Sequence, residues 1–182
     1  ETNIAGTHNL LEVTRDYLTT LPDAECASFK FIQVSTDEVY GDRSTKAPAT
    51  ETDPYQPSSP YAASKAAADH LVDAWVRTYG FPAIVTHSSN NYGPLQHKEK
   101  LIPRMVTRAI AGKSLPIFGS GKQIRDWLYV EDNAQAIIQV LLHGKIGEHY
   151  NIASGDEKPN AVVVDMICKL LDQARGDTDN AE

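Results

Sequence analysis

The chain's most telling stretch is Phe29-Lys-Phe-Ile-Gln-Val-Ser-Thr-Asp-Glu-Val-Tyr-Gly41, in which an apolar, β-rich run leads directly into a polar cluster. The run predicts a buried strand over residues 29–35, so that Thr36, Asp37 and Glu38 emerge at its carboxyl end. Open parallel α/β sheets bind their ligands at that end of the strands. Neighbouring strand residues point to opposite faces, so both carboxylates can act together only if the chain has left strand geometry there, which the closing glycine favours.

Predicted strands and helices alternate around this stretch, which favours a mainly parallel α/β sheet. Helices are predicted at residues 2–20, 60–79, 101–111, 131–142 and 162–174, and further strands at residues 81–87, 115–118, 124–129 and 149–153. The Pro-, Ser- and Thr-rich residues 42–60 predict either an ordered loop at the entrance of a site or a plain surface connection.

A tyrosine and a lysine stand four residues apart in Tyr61-Ala-Ala-Ser-Lys65, at the start of a predicted helix. They therefore share one helix face, where the ammonium can sit near the phenol. A phenol titrates near ~10, so a nearby cation is needed for Tyr61 to act as a base at neutral pH. Taken alone, the spacing more often marks a surface lysine beside a half-buried tyrosine, and it is the Thr36–Glu38 and Ser88–Pro94 segments that favour the functional interpretation.

Composition limits the classes of function. The 182 residues are 41% hydrophobic, which is enough for a sizeable core. The net charge of −7, without a Lys/Arg block, argues against nucleic-acid binding, and no run is apolar and long enough to span a membrane. Cys26 and Cys168 lack metal-ligand spacing, so we expect reduced thiols in a cytoplasmic protein and no metal site.

Six segments, in the same order along the chain, resemble the dTDP-glucose 4,6-dehydratases of the extended short-chain dehydrogenase/reductase superfamily. They are Glu1-Thr-Asn-Ile-Ala-Gly-Thr7, Val34-Ser-Thr-Asp-Glu-Val-Tyr-Gly41, Ser58-Ser-Pro-Tyr-Ala-Ala-Ser-Lys65, Ser88-Ser-Asn-Asn-Tyr-Gly-Pro94, Glu99-Lys-Leu-Ile-Pro103 and Gln123-Ile-Arg-Asp-Trp-Leu-Tyr-Val-Glu-Asp132. The aspartate in the middle of Thr-Asp-Glu is the specific part. Related epimerases usually carry small hydroxyl residues there, and decarboxylases or GDP-mannose dehydratases usually carry Thr-Ser-Glu.

The resemblance implies a Rossmann-like, doubly wound sheet with a smaller substrate-binding lobe. Residues 1–93 would be the C-terminal part of the NAD-binding domain, and residues 94–182 the substrate lobe interleaved with the last Rossmann elements. The glycine-rich NAD loop that family members carry is not in this sequence. We therefore expect the complete enzyme to be active, and this chain alone to lack the activity. The family also implies a homodimer, formed through a helix bundle that includes the Tyr61 helix.

The implied reaction is the NAD-dependent dehydration of dTDP-glucose to dTDP-4-keto-6-deoxyglucose, a lyase step of deoxysugar or rhamnose biosynthesis. Tyr61, supported by Lys65, would take the C4 hydroxyl proton while the C4 hydride passes to NAD. Glu38 would remove the C5 proton, and Asp37 would protonate the departing C6 hydroxyl. Thr36 would hydrogen-bond the C4 oxygen.

The resemblance also assigns binding residues. NAD would contact Tyr61, Lys65 and Asn91. The substrate would contact Thr36, Asn90, Lys100, Leu101, Pro116, Phe118, Arg125 and Asn160, with Phe118 standing where many members carry tyrosine. Plain alternatives are a surface ion pair for Arg125 and a helix N-cap for Asn160. Trp75 and Trp127 are expected to pack in the core.

Two other functions remain open from the sequence. The first is a related NAD-dependent sugar-nucleotide epimerase or decarboxylase, although an epimerase has no use for the C5 base and C6 acid that Asp37 and Glu38 would provide. The second is an inactive nucleotide-sugar binding protein. A binding module has no use for a positioned base, so retention of Tyr61 and Lys65 together with Thr36, Asp37 and Glu38 argues against it.

Overall fold

The computed structural model describes residues 1–43 and 47–176, and these residues form an α/β fold. In chain order, the elements are α1 (Ala5–Leu18), α2 (Asp23–Ser28), β1 (Phe31–Thr36), a 3₁₀ helix (Asp37–Tyr40), α3 (Pro60–Tyr79), β2 (Ala83–Ser88), β3 (Asn90–Tyr92), α4 (Leu101–Ile110), β4 (Ile124–Tyr129), α5 (Val130–His143), β5 (His149–Ile152), β6 (Glu157–Pro159) and α6 (Asn160–Arg175). The chain separates into two compact units, each built from two segments.

Unit 1 comprises Glu1–Ser89 and Asp132–Ile152, and its centre is a parallel sheet in the order β1-β2-β5. Every residue of β2 is buried, as expected for the central strand of a covered parallel sheet. The core cluster of Leu11, Val72, Phe81, Ala83 and Val85 joins α1 and α3 to β2. The predicted α/β class with a mainly parallel sheet is thereby confirmed.

Local signals define both ends of α3. The Ser59 hydroxyl accepts a hydrogen bond from the Ala62 amide at 3.1 Å, and Pro60 occupies the first turn. At the other end, Gly80 adopts a left-handed φ of 63°, and its amide bonds back to the last turn. The helix therefore has the predicted bounds and holds Tyr61 and Lys65 on one stripe.

Unit 2 comprises Asn90–Glu131 and the described residues from Ala153 onward. Here β3 runs parallel to β4, and β4 pairs antiparallel with β6. Buried Met105 of α4 and Val163, Val164 and Ile167 of α6 form its core. Trp127 packs against this cluster as predicted, and Trp75 packs against the core of unit 1.

The strand predicted at residues 115–118 is wrong, because this segment forms no regular structure. Pro116 lacks the amide that a strand needs for pairing. Four short elements, namely α2, the 3₁₀ helix, β3 and β6, were not anticipated by the sequence pattern. In the part of the chain that the structure describes, no helix combines the length and apolarity that a bilayer crossing requires.

Candidate active site

The polar cluster after β1 leaves strand geometry at once. Thr36 caps the 3₁₀ helix: its hydroxyl oxygen accepts from the Glu38 amide at 3.3 Å and donates to a carboxylate oxygen of Asp37 at 3.4 Å. Asp37 and Glu38 are half-buried in the first turn of this helix. The chain therefore meets the condition under which both carboxylates can act on one substrate.

A glycine ends this turn for a steric reason. Gly41 has a φ of 75°, and a Cβ placed on it would lie 2.0 Å from the carbonyl oxygen of Gln56. No side chain fits that space. The turn that displays Asp37 and Glu38 thus depends on a close backbone approach at Gly41.

Tyr61 lies in the first turn of α3, with 51% of its surface exposed. Burial is the largest cause that raises its pKa, and the charges of Glu38 and Asp37 raise that pKa further. The phenol and the two carboxylates therefore act electrostatically on one another. The shift is opposite to the lowering that a neighbouring lysine was expected to give.

Lys65 is held by the sheet. Its Nζ donates to the carbonyl oxygen of Val34 at 2.7 Å, which ties α3 to β1. Burial lowers the pKa of Lys65, and the negative charge of Asp69 opposes that change. Lys65 is therefore fixed by the backbone, and the carboxylate that favours its charged form lies one helical turn further on.

A buried polar network lies beyond Lys65. Asp69 Oδ2 accepts from the Ser35 hydroxyl at 2.6 Å and lies 3.4 Å from His87 Nε2. The same ring nitrogen is 2.8 Å from the Tyr55 hydroxyl, while His87 Nδ1 is 3.2 Å from the Tyr40 hydroxyl. Burial is the leading cause that raises the pKa of both tyrosines, so both hydroxyls stay protonated.

The network continues towards the surface. The Tyr55 hydroxyl lies 3.2 Å from His149 Nδ1, and His149 Nε2 lies 2.8 Å from Asp73 Oδ1. The hydrogen bond to Asp73 is the first cause that raises the pKa of His149. Sequence reasoning assigned no role to the histidines. The signal that could have indicated this network is the spacing of Lys65, Asp69 and Asp73, which follow one another at intervals of four residues on one helix face.

Unit 2 contains a pocket of about 170 Å³. It is lined by Asn90, Asn91, Gln96, Lys100, Leu101, Arg125, Trp127 and Asn160. Five of the predicted substrate-binding residues thus meet in one place, together with the predicted NAD contact Asn91. Gln96 and Trp127 are additions to that prediction.

The pocket has the character of an anion site. Lys100 caps α4 and Asn160 begins α6, so two helix N-termini lie among its lining residues. The exposed Arg125 of β4 adds a second cation. Helix N-termini, lysine and arginine all favour phosphate oxygens. Pro159 holds the N-cap position of α6 and Asn160 is its first helical residue, so the N-cap alternative does not explain Asn160.

Three predicted substrate contacts lie outside the pocket lining: Thr36, which belongs to unit 1, and Pro116 and Phe118 of unit 2. Pro116 is half-buried in the irregular segment, and Phe118 is 72% exposed, with the Arg104 guanidinium 5.7 Å from its ring centre. Gln96 donates to the Asn91 backbone carbonyl at 2.8 Å, a contact that no motif in the sequence signals. Trp127 lies opposite Asn90 in the β3–β4 pairing and reaches both the core and the pocket.

Comparison with known proteins shows which enzymes the chain resembles. The family model described as GDP-mannose 4,6 dehydratase matches residues 1–181. A dTDP-glucose 4,6-dehydratase from Haemophilus influenzae is 59% identical over 174 residues, which are 95% of this chain and 52% of that protein. The chain thus spans about half the length of the curated relatives it matches.

Solved structures show the same likeness. A dTDP-glucose 4,6-dehydratase from Bacillus anthracis, in complex with NAD, superposes with a TM-score of 0.86 at 49% identity, covering 93% of this chain and 52% of that one. A dTDP-glucose 4,6-dehydratase from Streptomyces venezuelae, with NAD and TYD bound, gives a TM-score of 0.82 at 40% identity, covering 94% and 50%. The α/β fold is therefore shared with these enzymes.

Proposed function

The chain belongs to the GDP-mannose 4,6 dehydratase family, and on that premise we propose that the complete gene product is a dTDP-glucose 4,6-dehydratase. The reaction converts dTDP-glucose to dTDP-4-keto-6-deoxyglucose in deoxysugar biosynthesis. One observation carries the proposal: Asp37 and Glu38 leave the strand on a 3₁₀ helix and both act electrostatically on Tyr61. The proposed acid Asp37, the proposed base Glu38 and the phenol of Tyr61 therefore lie close enough to interact electrostatically.

The residues present fit the reactive end of NAD. The Tyr61 phenol is half exposed, and the Lys65 ammonium is fixed by the Val34 carbonyl. Tyr61, Lys65 and Asn91 would hold the cofactor. When bound, NAD supplies a positive charge that favours the Tyr61 phenolate, an acceptor for the C4 hydride, and a donor that returns this hydride to C6.

The side chains of unit 1 would carry the proton transfers. Tyr61 takes the proton of the C4 hydroxyl, while the Thr36 hydroxyl donates a hydrogen bond to the C4 oxygen. Glu38 takes the C5 proton, made acidic by the C4 ketone, and Asp37 protonates the C6 hydroxyl, which leaves as water. As C6 is reduced, Glu38 returns a proton to C5. Each turnover therefore leaves Tyr61 protonated and Asp37 ionised, so one proton must pass from the tyrosine to the aspartate.

The side chains of unit 2 would bind the rest of the substrate. Lys100 and Arg125 supply positive charge for the diphosphate, and Asn90 and Asn160 supply amide donors. Leu101 packs against the ligand in the same pocket. Pro116 and the exposed ring of Phe118 would contact the thymine, because an exposed aromatic face offers a stacking surface without further desolvation of polar groups.

Assembly and location are part of the proposal. We expect a homodimer, because α1 presents Leu10 at 59%, Val13 at 67% and Tyr17 at 53% exposure, an apolar surface that a helix bundle would cover. Light scattering of the complete gene product checks this. We also expect a cytoplasmic location, where free thiols such as Cys26 and Cys168 stay reduced.

Incubation of the complete gene product with NAD and dTDP-glucose tests the function. The expected product has lost one water and carries a C4 ketone, both visible by mass spectrometry and NMR. Formation of dTDP-galactose, with no change of mass, would show an epimerase instead. Tight binding of dTDP-glucose without any turnover would show an inactive binding protein.

A further inference from the structure

Asp69 is a fully buried carboxylate on the Tyr61 and Lys65 face of α3. The three residues follow one another at intervals of four, so they form one stripe along the helix. Exposure falls along the stripe, from 51% at Tyr61 to 0% at Asp69. The stripe therefore runs from the proposed reaction centre into the interior of unit 1.

Hydrogen bonds satisfy only one side of the Asp69 carboxylate. Oδ2 accepts from the Ser35 hydroxyl at 2.6 Å and has His87 Nε2 at 3.4 Å. Oδ1 is buried and has no hydrogen-bond partner among the described residues. A buried carboxylate with an unfilled oxygen is costly unless positive charge lies near it.

Lys65, one helical turn earlier, supplies such a charge. Its Nζ is engaged by the Val34 carbonyl, so Asp69 acts on it through space. Burial lowers the pKa of Lys65, and Asp69 is the charge that opposes this. The other titratable groups that Asp69 faces come from β2, the 3₁₀ helix, the segment before α3, and β5, and they are His87, Tyr40, Tyr55 and His149.

We propose that Asp69 is a positioning residue that keeps Lys65 in its ammonium form. A half-buried lysine favours its neutral form, and the fixed negative charge one turn away restores the charged form. Ser35 orients the carboxylate from β1, the same strand whose Val34 carbonyl holds the lysine. The use of that ammonium in catalysis rests on the proposed function, whereas the charge relation between Asp69 and Lys65 does not.

Competitive acetylation measures the charge state of Lys65 without any need for activity. The complete gene product is treated with limiting acetic anhydride at a series of pH values, and labelling of Lys65 is quantified by peptide mass spectrometry. The exposed Lys122 serves as an internal reference for reagent. Only the neutral amine reacts, so the pH of half-labelling reports the pKa of Lys65.

In Asp69→Asn, the pH of half-labelling should fall by about one unit relative to the wild type. Ser35→Ala removes the same hydrogen bond but leaves the charge, so its half-labelling pH should stay equal or rise. Asp73→Asn removes a charge one turn further on and should change little. An unshifted value in folded Asp69→Asn would overturn the proposal, as would an equal fall in Ser35→Ala.

Folding of each variant is checked by its thermal melting transition. Should Asp69→Asn not fold, Asp69→Ser removes the charge with a smaller side chain and is tested in the same way. Should neither fold, Ser35→Ala decides alone: a fall of its half-labelling pH overturns the proposal, and an equal or higher value supports it.

The pH dependence of kcat/KM for dTDP-glucose gives a second readout. In Asp69→Asn, the alkaline limb should move to lower pH by the same amount as the half-labelling pH. A labelling shift in a protein that shows no dehydration would uphold the role of Asp69 and refute the proposed function. Dehydration with an unmoved alkaline limb and unmoved labelling would do the reverse.

Discussion

The two units hold their candidate functional groups in opposite ways. In unit 1, Lys65 is bonded to a backbone carbonyl, and buried Asp69 is bonded to Ser35. In unit 2, Lys100 and Arg125 project from exposed positions around a pocket. Groups that move protons need fixed geometry, whereas groups that bind a diphosphate can take their final order from the ligand. Substitutions in unit 1 should therefore affect chemistry and stability, and those in unit 2 should affect affinity.

The largest expected effect is that of Tyr61→Phe on turnover in the complete gene product. Loss of the hydroxyl removes the base for C4 oxidation, so kcat should fall by about 10²–10⁴-fold, with dTDP-glucose affinity nearly unchanged. Stopped-flow absorbance of NADH formed on the enzyme, together with calorimetric binding, measures both quantities.

Tyr79→Phe is the matched control for that substitution. Tyr79 lies at the other end of α3 and is 52% exposed, against 51% for Tyr61, so both substitutions remove a hydroxyl from a similarly exposed side chain. Normal turnover is expected in the control. Comparable losses in both variants would mean that the phenol of Tyr61 has no special part in oxidation.

Gly41→Ala should give the next largest effect, on the stability of unit 1. The added Cβ meets the Gln56 carbonyl oxygen at 2.0 Å and also strains a φ of 75°, so the free energy of unfolding should fall by about 2–4 kcal/mol. Urea unfolding followed by circular dichroism measures the change.

Gly80→Ala is the control that separates the cost of a positive φ from the cost of a steric clash. Gly80 has a φ of 63°, but a Cβ there meets no atom of the described residues within 4 Å, so only about 1 kcal/mol should be lost. An equal loss in both variants would mean that the turn after Glu38 is less tightly held than the backbone contact at Gly41 implies.

Arg125→Lys should weaken the binding of dTDP roughly tenfold, because lysine keeps the charge but loses the paired donors of the guanidinium. Isothermal titration calorimetry gives the affinity. Arg108→Lys serves as the control, because Arg108 also belongs to unit 2 but bonds the Ser114 carbonyl at 2.6 Å. Equal affinities in the wild type and Arg125→Lys would remove Arg125 from the binding surface.

The smallest expected effect concerns pH and the network of unit 1. The pKa of His149 is raised, mainly by Asp73, so protonated His149 stabilises the folded state. This contribution is complete below about pH 6.5, the ordinary histidine value, and is lost as the pH rises through the folded pKa.

Asp73→Asn should therefore lower the melting temperature below that pH and have less effect at high pH. The difference should amount to about 1 kcal/mol or less, as for other partly exposed ion pairs. Differential scanning calorimetry from pH 5 to pH 9 checks it. A loss of the same size at every pH would show that the contact is a neutral hydrogen bond.

Sequence reasoning succeeded where the signal is local. Ser59, Pro60 and Gly80 set the ends of α3, so its bounds were predicted as observed. The short strands β3 and β6 have three residues each, too few for a periodic pattern, and they form through pairing with β4.

In the candidate site, too, motifs along the chain were predictable, whereas contacts made in space were not. Asn90, Lys100, Arg125 and Asn160 were proposed from motif resemblance, and the structure brings them together in one pocket. The contact of Asp69 with Ser35 and His87 depends on the β1–β2 register, in which Ser35 faces His87. The raised pKa of Tyr61 likewise depends on which charges meet in space, so neither could be obtained from spacing along the chain.

The split of each unit into two segments has a consequence for biosynthesis. β5 completes the sheet of unit 1 by pairing with β2, yet it is translated only after residues 90–131 of unit 2. At about 5–20 residues per second, the ribosome needs roughly 3–13 s to travel from the end of β2 to the end of β5. During that interval the nascent chain exposes one open edge of β2, an edge prone to pairing with other chains. The order of synthesis thus makes the arrival of His149–Ile152 the step that protects the growing polypeptide from aggregation.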